Sequence, residues 1–172
     1  MTYVEIPETV TKNEYQAFYG CSSLNSVILS NVTKILNCAF QECTCLSNIT
    51  FSNNLKYITN QVFYKCTNLE QIILPNSLTM LGTAFDSCTR LKEIEIPESV
   101  TELVKNTFNG CYLTKITINS NYTVTKYKDM VMGIKQLKHL NISDLVTDLS
   151  GDYFSSFTTS LTNLTIGKIL KQ

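Results

Sequence analysis

Apolar residues recur along this chain in fixed columns. Phenylalanine stands at Phe18, Phe40, Phe63, Phe85 and Phe108, in steps of 22, 23, 22 and 23. Three residues after each comes a cysteine (Cys21, Cys43, Cys66, Cys88, Cys111), and then a leucine (Leu24, Leu46, Leu69, Leu91, Leu113). An alternating apolar pair follows: Val27/Leu29, Ile49/Phe51, Ile72/Leu74, Ile94/Ile96 and Ile116/Ile118. Upstream of each Phe lies a further column of Val10, Val32, Leu55, Leu78 and Val100. Self-similarity at a fixed period is the mark of a repeat array.

Two periodicities inside each unit predict its elements. The x-I-x-I end alternates apolar and polar, as a short half-buried strand does. Pro7, Pro75 and Pro97 close that strand, because proline cannot donate to a ladder. Asn or Ser then supplies a turn, and V-T-x-L gives a second short extended piece. The A-F-x-x-C-x-x-L part carries apolar residues at i, i+3 and i+6, a spacing that predicts a single helical or 3₁₀ turn. A unit this small cannot bury its own apolar side. Stacked on copies of itself, each column becomes a continuous ladder inside a solenoid.

The unit resembles the BspA-type leucine-rich repeat, whose form is close to LPxSVTxIGxxAFxGCxxLxxIxIP. The match is clearest in ILPNSLTMLGTAFDSCTRLKEIEIPESVTEL (73–103) and extends over residues 4–118. The resemblance implies an α/β leucine-rich repeat solenoid of about seven coils of 22–24 residues. It places a parallel β-sheet on the concave face, with short helical or 3₁₀ turns and extended segments on the other sides. Residues 119–172 lose the Phe and Cys columns but keep strand patterns through Leu137, Leu140 and Ile142, and through Leu161, Leu164 and Ile166. Val124, Val146 and Ile169 continue the upstream column, while KDMVMG and GDYFSSF replace the usual turn. These residues read as degenerate coils of one solenoid spanning 1–172. Both ends cut through a repeat, so the expectation is part of, or continuity with, a longer array.

Composition narrows the function classes. Fourteen basic residues balance 14 acidic ones without clustering, so the electrostatic footprint of a nucleic-acid binder is missing. No apolar run approaches the ~20 residues that span a bilayer, so direct membrane insertion is not expected. MTYVEIPETV has neither a basic nor an apolar leader region. The missing leader points to the cytoplasm, whereas the family resemblance points to a cell surface.

Seven cysteines invite disulfide, metal or nucleophile chemistry. Five fill one repeat column, where stacked side chains run parallel, and cysteine packs well as a small buried hydrophobe. The column therefore reads as buried free thiols. Cys38 and Cys45 fall outside it, either bridged to one another or, for Cys45, as an exposed thiol. With Cys43 they form CAFQECTC, which lacks the hairpins and histidine of a common zinc site. His139 is the only histidine and reads as a surface residue. No phosphate-binding or catalytic motif occurs, so neither enzyme activity, cofactor nor metal is expected. Sequons at Asn31, Asn48, Asn121, Asn141 and Asn163 are weak evidence of a secretory route, since three of them lie in repeat strands.

Packing commits the core columns, so recognition must use the outward positions between them. These are Ser26/Ile28, Asn48/Thr50, Gln71/Ile73, Glu93/Glu95, Lys115/Thr117, His139/Asn141 and Asn163/Thr165. Ile28 and Ile73 are apolar exceptions on a polar stripe. Asn48, Thr50, Gln71, Ile73, Glu93, Glu95, Lys115, Thr117, His139 and Asn141 form the candidate partner-binding face. The expected function is a non-enzymatic module that docks a protein ligand there. By resemblance this is an adhesin-like surface protein binding host or matrix proteins; the alternative is an intracellular scaffold or targeting domain. Bare solenoid ends would also allow end-to-end self-association.

Overall fold

The structure, a computed structural model, describes residues 1–119, 134, 136–142 and 160–167. Strands of three or four residues are β1 (Tyr3–Ile6), β3 (Ser26–Leu29), β5 (Asn48–Thr50), β8 (Glu93–Ile96), β10 (Lys115–Ile118), β11 (His139–Ile142) and β12 (Asn163–Ile166). Two-residue strands are β2 (Lys12–Asn13), β4 (Lys34–Ile35), β6 (Tyr57–Ile58), β7 (Met80–Leu81) and β9 (Glu102–Leu103). All pairing among the described residues is parallel. The longer strands form the sheets β1-β3-β5 and β8-β10-β11-β12, and the short ones form β2-β4-β6-β7-β9. This is a parallel-sheet β-solenoid. Its short sheet is the V-T-x-L piece that the pattern predicts.

Register follows the repeat columns. Val4, Val27 and Ile49 are paired neighbours, as are Ile94, Ile116, Leu140 and Leu164. β3 and β10 both alternate half-buried and buried positions, so one face of each strand closes the core. Beneath the sheets the Phe column forms a stack from Phe18 to Phe108. Its ring centroids lie 5.2, 5.8, 5.4 and 5.8 Å apart, with planes within 11° of parallel. Phe40, Phe63, Phe85 and Phe108 are fully buried. The first degenerate coil keeps its core, with Leu137, Leu140 and Ile142 buried, whereas in the second Leu161 is half-buried and Leu164 and Ile166 are exposed. Val124, Val146, Ile169, KDMVMG and GDYFSSF lie outside the described residues.

The A-F-x-x-C segment, expected as a single helical or 3₁₀ turn, forms no helix among the described residues. Consecutive turns take its place: Ala39 N–H donates to Leu36 O (3.2 Å), Gln41 to Cys38 O (3.1 Å) and Cys43 to Phe40 O (3.2 Å). The amides between them leave the coil. Phe40 donates to Val62 O (3.0 Å) and Glu42 to Tyr64 O (2.8 Å), and the same step recurs in later coils. Amides spent on the next coil cannot close helical turns. The backbone reaches this geometry through left-handed residues, among them Cys38 (φ 62°), Glu42 (φ 60°), Lys65 (φ 58°), Ser87 (φ 61°) and Gly110 (φ 68°).

Residue types at that last turn carry a testable strain. Gly20 and Gly110 occupy the position before the cysteine at no steric cost, but Glu42, Lys65 and Ser87 hold the same conformation with a Cβ. A left-handed non-glycine residue costs about 1–2 kcal/mol. Ser87→Gly is therefore expected to stabilise the protein by about 1 kcal/mol, less the entropy that glycine adds to the unfolded chain. An unchanged or lower urea midpoint would show that this turn is not strained.

One coil departs from the strand pattern. Ile72 and Leu74 are buried as their column requires, yet Gln71–Leu74 forms no strand. The main sheet is thereby divided between β5 and β8, while the short sheet and the Phe stack run through the same coils unbroken.

Candidate binding face

Outward side chains of β8, β10, β11 and β12 meet in two rows. The register aligns Glu93, Lys115, His139 and Asn163 in one, and Glu95, Thr117, Asn141 and Thr165 in the other. Neighbours along the rows interact. Lys115 Nζ lies 3.4 Å from the Glu93 carboxylate, and Asn141 Nδ2 donates to Thr117 Oγ1 at 3.3 Å. Asn119 Nδ2 donates to Glu95 Oε1 at 2.5 Å. Both ends of the Glu93–Lys115 pair are exposed, so the pair orients side chains and contributes little stability.

The other candidates sit apart from this patch. Asn48 and Thr50 lie on β5, in rows with Ser26 and Tyr3 and with Ile28 and Glu5. Ile28 is half-buried there, so its row hides the apolar spot that alternation would expose. Tyr3 and Glu5 belong to the same face and are additional to the candidates. The alternation of Val4 and Ile6 already marks them as outward. Tyr3 Oη donates to Glu5 Oε2 at 2.8 Å, and that bond raises the phenol pKa above its ordinary value.

Gln71 and Ile73 occupy the division between the sheets. A cleft of about 1030 Å³ opens there, between residues 70–76 and strands β8 and β10. Ile73 is 86% exposed at its lip, the highest value for a large hydrophobic among the described residues. Arg90 pairs with Glu70 at 2.5 Å. Among the described residues Glu95 has no cation, its partner being the Asn119 amide.

The cysteine column is free of disulfides, as are Cys38 and Cys45. Its thiols do more than fill space. Cys43, Cys66 and Cys88 each donate S–H at 3.1 Å to the carbonyl of the phenylalanine one coil back, namely Phe18, Phe40 and Phe63. Cys111 does the same to Phe85 O at 2.9 Å. Each of these carbonyls also accepts the amide of its own coil's cysteine. A small side chain with a donor thus satisfies a buried acceptor, which an alanine would leave one bond short. Burial pushes the Cys43 thiol up to about 12, and drives Cys66 and Cys88 well above the ordinary range. Cys38 is buried and Cys45 is exposed.

Among the described residues no group of three or more His, Cys, Asp or Glu is placed to hold a metal ion. No helix there is long and apolar enough to cross a membrane. Of the sequon residues, the Asn31 amide is engaged, donating to Glu8 O at 2.9 Å; Asn121 lies outside the described residues.

Stacked short coils, a parallel sheet at each repeat and a leucine column define a leucine-rich repeat protein. The chain belongs to the family described as BspA type leucine rich repeat region, which matches residues 1–83 and 82–172. Six copies are matched, where the sequence pattern predicts about seven coils. No curated protein matches. Among solved structures, the T. pallidum leucine rich repeat protein TpLRR is similar at 27% identity and TM-score 0.73, over 96% of this chain and 72% of that one. A leucine-rich repeat protein from Bacteroides ovatus is similar at 24% identity and TM-score 0.64, over 98% of this chain. A leucine rich cell surface protein from Faecalibacterium prausnitzii is similar at 20% identity and TM-score 0.57, again over 98%. This chain spans 60% and 57% of the length of the latter two, and their likeness speaks to the fold.

Proposed function

We propose that this chain is a non-enzymatic protein-interaction module that docks a protein ligand on the outward face of its main sheet. The two aligned rows on β8, β10, β11 and β12 carry this reading. They gather acidic, basic, amide and hydroxyl groups on one surface, and the backs of β8, β10 and β11 are committed to the core. A non-obligate protein interface is no more apolar than the rest of a protein surface, so a mixed polar face is compatible with docking. The adhesin form of this reading, displayed at a cell surface against host or matrix proteins, rests on the family resemblance. The scaffold form is favoured by one observation: all seven cysteines are free, with Cys45 exposed, which suits a reducing compartment.

Proteins retained by the immobilised chain provide the test. For any retained partner, the triple variant Glu93→Lys, Lys115→Glu, Asn141→Lys is expected to weaken binding at least tenfold. Glu42→Lys, on the turn side, is expected to leave it unchanged. Loss through the turn-side variant, or indifference to the triple variant, would move the binding surface elsewhere.

A further inference from the structure

The division in the main sheet has a specific chemistry. Elsewhere a carbonyl of one coil accepts two successive amides of the next. Asn25 O takes Ser47 N (3.0 Å) and Asn48 N (3.1 Å), Lys92 O takes Thr114 N (2.8 Å) and Lys115 N (3.2 Å), and Lys138 O takes Thr162 N and Asn163 N (both 2.9 Å). The matching step is missing on both sides of Gln71–Leu74, where no backbone hydrogen bond joins residues 70–75 to β5 or β8. The unpaired side of β8 follows from its paired one. Lys92 O and Ile96 O accept from Lys115 and Asn119, so these carbonyls face β10. Successive residues of a strand in a parallel ladder bond to opposite sides, which turns the N–H and C=O of Glu93 and Glu95 toward the cleft.

We propose that this cleft receives an extended segment of the protein ligand, added to the β8 edge as a strand that alternates apolar and basic residues. The inference rests on the binding reading above and assigns its ligand a chemistry. Unpaired donors and acceptors at strand spacing are matched by another polypeptide backbone. Side chains of the guest then have defined neighbours. Those pointing inward meet Ile72 and Leu74 on one side and Ile94 on the other, all lining the cleft, and must be apolar. In the outward row, Ile73 occupies the repeat position that Glu95 holds one coil later. A lysine or arginine between them lays its alkyl stem on Ile73 and brings its charge to Glu95, a carboxylate with no cation among the described residues. The cleft, at about 1030 Å³, stands at the upper end of ligand pockets, which run to about 1,000 Å³.

The experiment uses a capped nine-residue peptide of alternating valine and lysine, with a valine–glutamate peptide as control. Amide hydrogen exchange of the intact chain is followed by NMR. Addition of the valine–lysine peptide is expected to slow exchange of the Glu93 and Glu95 amides at least tenfold and to leave those of β3 unchanged. Glu95→Lys should weaken that peptide at least tenfold and favour the valine–glutamate one. Ile73→Ser, on an exposed side chain, should weaken both. Protection elsewhere, or equal binding of both peptides to the wild type, would overturn the proposal. If the peptide leaves Glu93 and Glu95 unprotected while a retained protein still loses affinity to the triple variant, the strand insertion fails and the sheet-face reading stands.

Discussion

Phe85→Ala is expected to lower the free energy of unfolding by about 3–5 kcal/mol, the range of large aromatic truncations in a close-packed core. The side chain is fully buried and stacks on two rings, Phe63 at 5.4 Å and Phe108 at 5.8 Å. Removing it opens a cavity that its neighbours cannot fill, because every coil above and below is held in register by its own ladders. At an m-value of about 2 kcal/mol/M the urea midpoint should fall by about 2 M, read by circular dichroism. Phe85→Leu separates the contributions. It keeps most of the volume and forfeits both ring contacts, each worth about 0.5–1.5 kcal/mol, so its loss should be about 1–3 kcal/mol. Because stability in a solenoid passes between neighbouring units, the alanine variant should also broaden the transition. A loss below about 1 kcal/mol would mean that the column is not a cooperative element.

The stack was legible because each column repeats one residue type at one spacing, and burial imposes that constraint directly. The outward rows were legible for the same reason, since strand alternation assigns every residue of x-I-x-I to a face. Three features were not. Ile72 and Leu74 obey their column, so the pattern shows which side chains are buried but not whether the amides around them are paired. The division of the sheet, and with it the separation of Asn48 and Thr50 from Glu93 and Glu95, leaves no mark in residue type. The turns of A-F-x-x-C mimic a helical spacing, because i to i+3 contacts occur equally in successive turns with left-handed residues. Glycine marks that turn only at Gly20 and Gly110, and in the coils between them Glu42, Lys65 and Ser87 stand in its place. Finally, a cysteine column reads as small and apolar, and nothing in its spacing reveals a thiol bonded to the coil behind.

That last feature sets the other large effect expected. The Cys43 thiol is raised from an ordinary 9.0 to about 12, by burial first and by the neighbouring Cys21 second. Three units leave about a thousandfold less thiolate at neutral pH, and the thiolate is the form that reacts. Cys66 and Cys88 are shifted the same way by burial. Iodoacetamide under native conditions should therefore modify exposed Cys45 first while buried Cys43, Cys66 and Cys88 lag, Cys43 by about three orders of magnitude relative to a thiol at the ordinary value. The same shift sets a pH dependence. The folded thiols hold their protons to higher pH than the unfolded chain does, so the folded state binds more protons between the two pKa values. Stability from this source is complete below pH 9 and declines as pH rises from 9 toward 12. A triple alanine variant at 43, 66 and 88 leaves three phenylalanine carbonyls one bond short, and should be less stable at pH 7 by about 1 kcal/mol per site. Above pH 9 it should lose stability more slowly than the wild type, so the two curves converge. Parallel curves, or labelling of all seven cysteines at one rate, would show that these thiols are neither sealed nor bonded.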